Sequence, residues 1–189
     1  MTPLGPRFFT RDVDDVARAL IGTTLMFGKS GGIIVETEAY DPTDPASHSY
    51  GERRTTRNAV MFGKPGHAYV YFIYGMYWCL NFVCTDASAV LIRALEPTHN
   101  LAAMARRRST EDPRVLCNGP GKLCDALGIT GKQNGLSLYA PPFALTKRIK
   151  EPVIATGVRI GLTKAADLPR RYGLANSPYL SRRFPELPR

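Results

Sequence analysis

The chain has 189 residues, with 25 Lys and Arg against 16 Asp and Glu, a net charge of +9 and a sequence pI near 9.6. That length fits one domain with a substantial core, and the charge points first to a polyanionic partner, nucleic acid ahead of others, with a merely soluble basic protein as the plain alternative. No stretch approaches the roughly 20 apolar residues of a membrane span, and the opening MTPLGPRFFTRDVDD lacks the apolar run of a secretory signal, so no membrane partner is expected. The expected location is the cytoplasm, or the nucleus in a nucleated cell.

Thr10 is a candidate cap for a first helix, with Asp12, Asp14 and Asp15 in its opening turn. Val13, Val16, Ala17, Leu20 and Ile21 fall at helical spacing, and Gly22 is the stop. Strands are predicted at about 24–27, 32–40, 67–73, 76–84 and 88–95, the last three as an antiparallel meander. A second helix is predicted from Thr98 through ARRRS, and a third at GPGKLCDALG between Pro120 and Gly128. The tail from 135 onward reads as short strands and Pro-containing loops. Strands and helices do not alternate regularly, which predicts a single α+β domain with an antiparallel sheet. The cysteines, Cys79, Cys84, Cys117 and Cys124, have C-x4-C and C-x6-C spacings in place of a C-x2-C zinc knuckle. Small buried thiols are expected, with no metal.

The segment IIVETEAY sets Glu36, Glu38 and Tyr40 on one face of a strand and Val35, Thr37 and Ala39 on the other. Such an acidic, aromatic face could be solvated, could form a structural ion pair or could present a catalytic acid. His48 follows in the polar loop DPASHS, near enough to Tyr40 for both to line one pocket. GERRTTRN supplies Arg53, Arg54 and Arg57 as a basic loop ahead of a hairpin. In GHAYVYFIYGMYWCLNFV the tip is YGM, with Gly75 free to take a positive φ and Tyr74 exposed beside Met76 and Tyr77. A tip aromatic either folds back on the core or acts as a wedge between bases.

Arg93 lies in AVLIRALEP, a run too apolar for a solvated charge. A buried guanidinium needs a carboxylate, and Glu38 is the natural partner; the result is a poised general base or a purely structural pair. NGPGK offers free amides at a helix start together with Lys122, suited to a phosphate or to simple capping.

Taken in order, VETEAY, PASHSYG, RTTRNAVMFGKPGHAYVYFIYGMYWCLN, LIRALEP and NGPGKLCDALGI resemble the motifs of the alkyladenine (3-methyladenine) DNA glycosylase family, from about Phe8 to SPYLSR near Ser181. The resemblance implies one glycosylase domain over 1–189, a curved antiparallel sheet with surrounding helices, and a protruding hairpin that enters DNA. It implies a monofunctional enzyme of base excision repair that flips alkylated or deaminated purines from double-stranded DNA and hydrolyses the N-glycosidic bond without a cofactor.

Carried over by position, Glu38 matches the general base and Arg93 the residue that helps hold the water. Tyr40, His48 and Tyr71 match residues around the flipped base, Asn81 the residue opposing the amino group of guanine, and Tyr74 the wedge. Met76, Tyr77, Arg53, Arg54, Arg57 and Lys122 are the other expected DNA contacts, and a monomer is expected. Two competing readings remain: a damage-binding protein without turnover, and a glycosidase using Glu36 and Glu38 as paired carboxylates.

Overall fold

A computed structural model describes residues 2–185. Its eight strands form one antiparallel sheet: β1 Thr24–Phe27, β2 Ser30–Tyr40, β3 Ala68–Ile73, β4 Tyr77–Val83, β5 Ala89–His99, β6 Phe143–Thr146, β7 Ile154–Gly157 and β8 Arg171–Leu174. The path is β3-β4-β5-β2-β1-β6, and β2 also pairs β8, which pairs β7. The long strand β2 thus carries β5 along one edge, with β1 and then β8 in succession along the other. A strand covered on both edges is one that can hold charge away from water. The sheet curls into an antiparallel half-barrel with helices packed on it, a mixed α+β domain as the sequence predicts.

Helix α1 (Val13–Leu20) buries Val13, Val16, Ala17 and Leu20, the apolar stripe read from the sequence. Its cap is Asp12, whose carboxylate accepts from the amides of Asp14 at 2.9 Å and Asp15 at 3.3 Å. Thr10 instead closes a preceding 3-10 turn by donating its hydroxyl to the Arg7 carbonyl. The second helix also starts later than Thr98: α2 spans Leu101–Arg108. Strand β5 runs on to His99 because Pro97 pairs with Gly32, where a Cβ would stand 2.0 Å from the Glu96 carbonyl oxygen. Only a glycine allows that approach. A short helix α3 (Pro113–Leu116) and α4 (Pro120–Leu127) follow, the latter ending at Gly128. The core includes Phe9, Leu20, Ile34, Phe82, Ile92, Leu95, Met104 and Leu123.

All four cysteines are buried free thiols. Burial pushes Cys79 up to about 11, and Cys84 and Cys117 up to about 12. They are protonated at neutral pH; Cys84, Cys117 and Cys124 pack in the core, and Cys79 also lines a cleft together with Glu38. Among the described residues no group of three or more His, Cys, Asp or Glu could hold a metal ion, and no helix is long and apolar enough to cross a membrane.

Candidate active site

Both glutamates of β2 are fully buried, and Val35, Thr37 and Ala39 on the other side are buried too, so neither face is solvated. Register shifts flank Glu36 in its pairing with β5, and both carboxylates reach Arg93, itself 7% exposed. The Arg93 Nη1 lies 3.2 Å from Glu38 Oε1, and its Nε lies 3.4 Å from Glu36 Oε1.

The two carboxylates differ in what else they hold. Glu36 accepts from Arg171 Nη1 at 2.8 Å, the Ser181 amide at 2.6 Å and the Ser181 hydroxyl at 2.9 Å. With Arg93 these make four partners, three on Oε1 and one, the Ser181 amide, on Oε2. Glu38 accepts from the Ile160 amide at 2.9 Å and the Tyr40 hydroxyl at 2.7 Å, and with Arg93 this makes three partners. One acceptor site remains. Glu38 also lines a cleft of about 430 Å³, together with Tyr40, Tyr71, Tyr74, Tyr77, Arg93 and Lys122, whereas Glu36 lines neither this cleft nor the smaller cavity beside it.

A second cavity of about 130 Å³ shares the wall made by Tyr40, Tyr71, Tyr74 and Leu162, and adds His48, Tyr69 and Asn81. The His48 ring stands 4.6 Å from that of Tyr71, and its Nδ1 is 2.8 Å from the Tyr69 hydroxyl. Burial, and then the charge of Arg57, lowers the His48 pKa and favours the neutral ring. Burial, and then Glu38, raises the Tyr40 hydroxyl far above its ordinary range, so Tyr40 stays a donor to Glu38. Asn81 uses its amide nitrogen on the Tyr69 carbonyl at 3.1 Å, and its oxygen has no hydrogen-bond partner among the described residues. That oxygen is therefore an acceptor beside the cavity.

At the turn between β3 and β4, Tyr74 and Gly75 both have positive φ, 54° and 66°, the sign pattern of a type I′ turn. Tyr74 is 72% exposed, so no packing explains a bulky residue in that conformation. Tyr77 leans on α4, where a Cβ at Gly121 would come within 2.9 Å of its ring. Lys122 donates to Asn118 at 2.9 Å at the start of α4.

Arg53, Arg54 and Met76 are exposed and line neither cavity. Arg57 is exposed as well, but it donates to the Phe72 carbonyl at 3.0 Å and lies 5.3 Å from the Tyr71 ring. Asn58 fixes this loop: its side chain donates to the carbonyls of His48 and Arg53 and accepts from Thr55.

The sequence reading missed several groups that build the site. Arg159 is fully buried, paired with Asp44, donating to the carbonyls of Ala39 and Ala165, and 4.6 Å from the Tyr40 ring. It anchors the loop whose next residue, Ile160, presents its amide to Glu38. Arg171 and Ser181 were missed as well. An arginine in an apolar run, VRIGL, was the available signal for Arg159, the same signal that marked Arg93.

The Methylpurine-DNA glycosylase family model matches residues 7–178. The chain belongs to that family. It is therefore a DNA glycosylase, a hydrolase of DNA repair whose substrate is DNA. Relatives with the provisional name 3-methyladenine DNA glycosylase include one from Rhodopseudomonas palustris (strain ATCC BAA-98 / CGA009), 62% identical over 181 residues, 94% of this chain and 87% of the relative. Another, from Bradyrhizobium diazoefficiens, is 56% identical over 187 residues, 97% of this chain and 93% of its own. A third, from Agrobacterium fabrum, is 54% identical over 177 residues, 94% and 91% respectively. The glycosylase thus matches these bacterial proteins over nearly its full length.

Proposed function

We propose that this glycosylase is a single-domain, monofunctional enzyme of base excision repair that acts as a monomer in the bacterial cytoplasm, on nucleoid DNA. It flips alkylated or deaminated purines out of the duplex and hydrolyses the N-glycosidic bond, leaving an abasic site. The observation that carries this reading is the one unfilled acceptor site of Glu38 at the cleft wall, beside Arg93.

A water held there by Glu38 and Arg93 loses a proton to Glu38. Its oxygen bonds to C1′ as the bond to the purine breaks, and the base leaves with the bonding electron pair. A purine alkylated at N3 or N7 is cationic, so those electrons neutralise it and the bond breaks more readily. The flipped base occupies the space bounded by Tyr40, His48 and Tyr71, where stacking on aromatic faces is worth about 1–3 kcal/mol per base. A neutral His48 adds no repulsion toward a cationic lesion. The Asn81 side chain opposes the exocyclic amino group of normal guanine by occupying the space it would need.

Tyr74 fills the gap left in the stack, with Met76 and Tyr77 beside it in the groove. Arg53, Arg54, Arg57 and Lys122 contact phosphates. The exposed, positive-φ tip supports the wedge role, since strain of about 1–2 kcal/mol persists in a natural turn where function requires the residue. The glycosidase reading with paired carboxylates loses ground because Glu36 is tied to Arg171 and Ser181 and borders neither the cleft that Glu38 lines nor the smaller cavity beside it.

Duplexes carrying 3-methyladenine, 7-methylguanine, hypoxanthine or ethenoadenine singly, incubated with the protein and scored for alkali-labile sites, test the reading. Abasic sites at one or more lesions are expected. Tight lesion binding with no strand scission after alkali would favour a damage sensor without turnover.

A further inference from the structure

We infer that Ser181, on the C-terminal segment beyond the family-matched residues 7–178, is a positioning residue for Arg93 and thereby for the attacking water. The inference rests on the proposal that Glu38 and Arg93 form the hydrolytic site. The Ser181 hydroxyl accepts from both Nε and Nη2 of Arg93 at 3.3 Å each and donates to Glu36 Oε1 at 2.9 Å, while the Ser181 amide donates to Glu36 Oε2 at 2.6 Å. Arg93 offers Nη1 to Glu38, so the serine holds the opposite side of the same planar guanidinium. A planar fork held on two sides cannot rotate away from the carboxylate it serves.

The segment has a built seat. Phe184 lies over Gly157 and Gly173 of the paired strands β7 and β8, where a Cβ would come within 3.1 Å and 2.3 Å of its ring. Only residues without side chains leave that room. On its other side the Arg171 guanidinium stands 3.8 Å from the Phe184 ring centroid, and the same guanidinium holds Glu36 and donates to the Arg182 carbonyl at 3.0 Å. Glu36, whose role the sequence left open, is thus the junction at which the C-terminal segment is tied to the guanidinium of the site. The carboxylate set back from both cavities holds the guanidinium that faces Glu38.

The test compares Ser181→Ala, Ser181→Thr, Phe184→Ala and, as a control on the site, Glu38→Gln. Each is measured for single-turnover excision of hypoxanthine and for equilibrium binding of the same duplex. Ser181→Ala removes hydrogen bonds to a charged group, so its excision rate is expected to fall about tenfold to a hundredfold with duplex affinity within about twofold of the parent. Ser181→Thr keeps the hydroxyl and should recover most of the rate. Phe184→Ala, which unseats the segment without touching any group around Glu38, should lose rate in the same direction. Parental excision by Ser181→Ala beside an inactive Glu38→Gln would overturn the role of Ser181 alone. Parallel loss of rate and affinity, without recovery by threonine, would also overturn it, leaving the segment a structural brace. An active Glu38→Gln would overturn the site assignment and this inference with it.

Discussion

Asp44→Ala should be one of the most damaging single changes in the molecule that touches no substrate. Asp44 and Arg159 pair with side chains wholly removed from water, and the carboxylate also accepts from the Ala46 amide at 2.9 Å. Deleting it leaves the Arg159 guanidinium with two carbonyls and the Tyr40 ring but no counter-charge. An uncompensated buried charge costs about 3–5 kcal/mol, a large part of the roughly 5–15 kcal/mol that holds a domain folded. At about 2–4 °C per kcal/mol for a chain of this size, the melting temperature should fall by roughly 6–20 °C.

Urea unfolding is the assay, with the midpoint shifting and the slope unchanged. Because Arg159 precedes Ile160, the variant should also excise more slowly as the Ile160 amide leaves Glu38. Asp44→Leu combined with Arg159→Met should regain much of the stability, since an apolar pair of similar volume can replace a buried ion pair at little cost. A loss below about 1 kcal/mol for Asp44→Ala would refute the reasoning.

Tyr74→Ala should weaken lesion capture more than non-specific duplex binding, because the wedge repays unstacking only when a base is out; ethenoadenine fluorescence reports flipping directly, and unchanged flipping would make Tyr74 an ordinary turn residue. Asn81→Ser should release measurable free guanine from undamaged duplex, since shortening the side chain removes the bulk that crowds out the amino group; no increase over the parent would mean another group guards the pocket. Burial and Arg57 lower the His48 pKa from 6.5, so the unfolded chain binds a proton that the folded one refuses. The stability contributed by neutral His48 is present above about pH 6.5 and lost as pH falls below it, and His48→Gln should flatten that slope in thermal melts between about pH 5 and pH 7.

Much of the site was legible because its signals are local. An arginine inside AVLIRALEP demanded a carboxylate, and a period-two strand put Glu38 beside Tyr40. The same logic applied to VRIGL, but Asp44, the partner of Arg159, sits in a loop 115 residues away and carries no periodicity to mark it. The partners of Glu36 were further out of reach: Arg171 and Ser181 lie 135 and 145 residues along the chain, brought in only because β8 pairs the second edge of β2. Helix starts were misplaced by two or three residues where several cap-forming side chains cluster. Asp12 outcompeted Thr10, and a glycine opposite Pro97 let β5 continue past Thr98. The motif match and the neighbouring Tyr40 already favoured Glu38 over Glu36 in the sequence; the structure adds that Glu38 lines the cleft while Glu36 borders neither cavity.

That choice is tested most directly by single-turnover excision of hypoxanthine from one duplex by Glu38→Gln, with binding of the same duplex measured alongside. Glutamine keeps the size and can still accept hydrogen bonds, but it cannot take the proton from water. Excision should slow by roughly 10²-fold to 10⁴-fold, the usual contribution of a general base, while the duplex binds as before. Excision by Glu38→Gln at the parental rate would contradict the account.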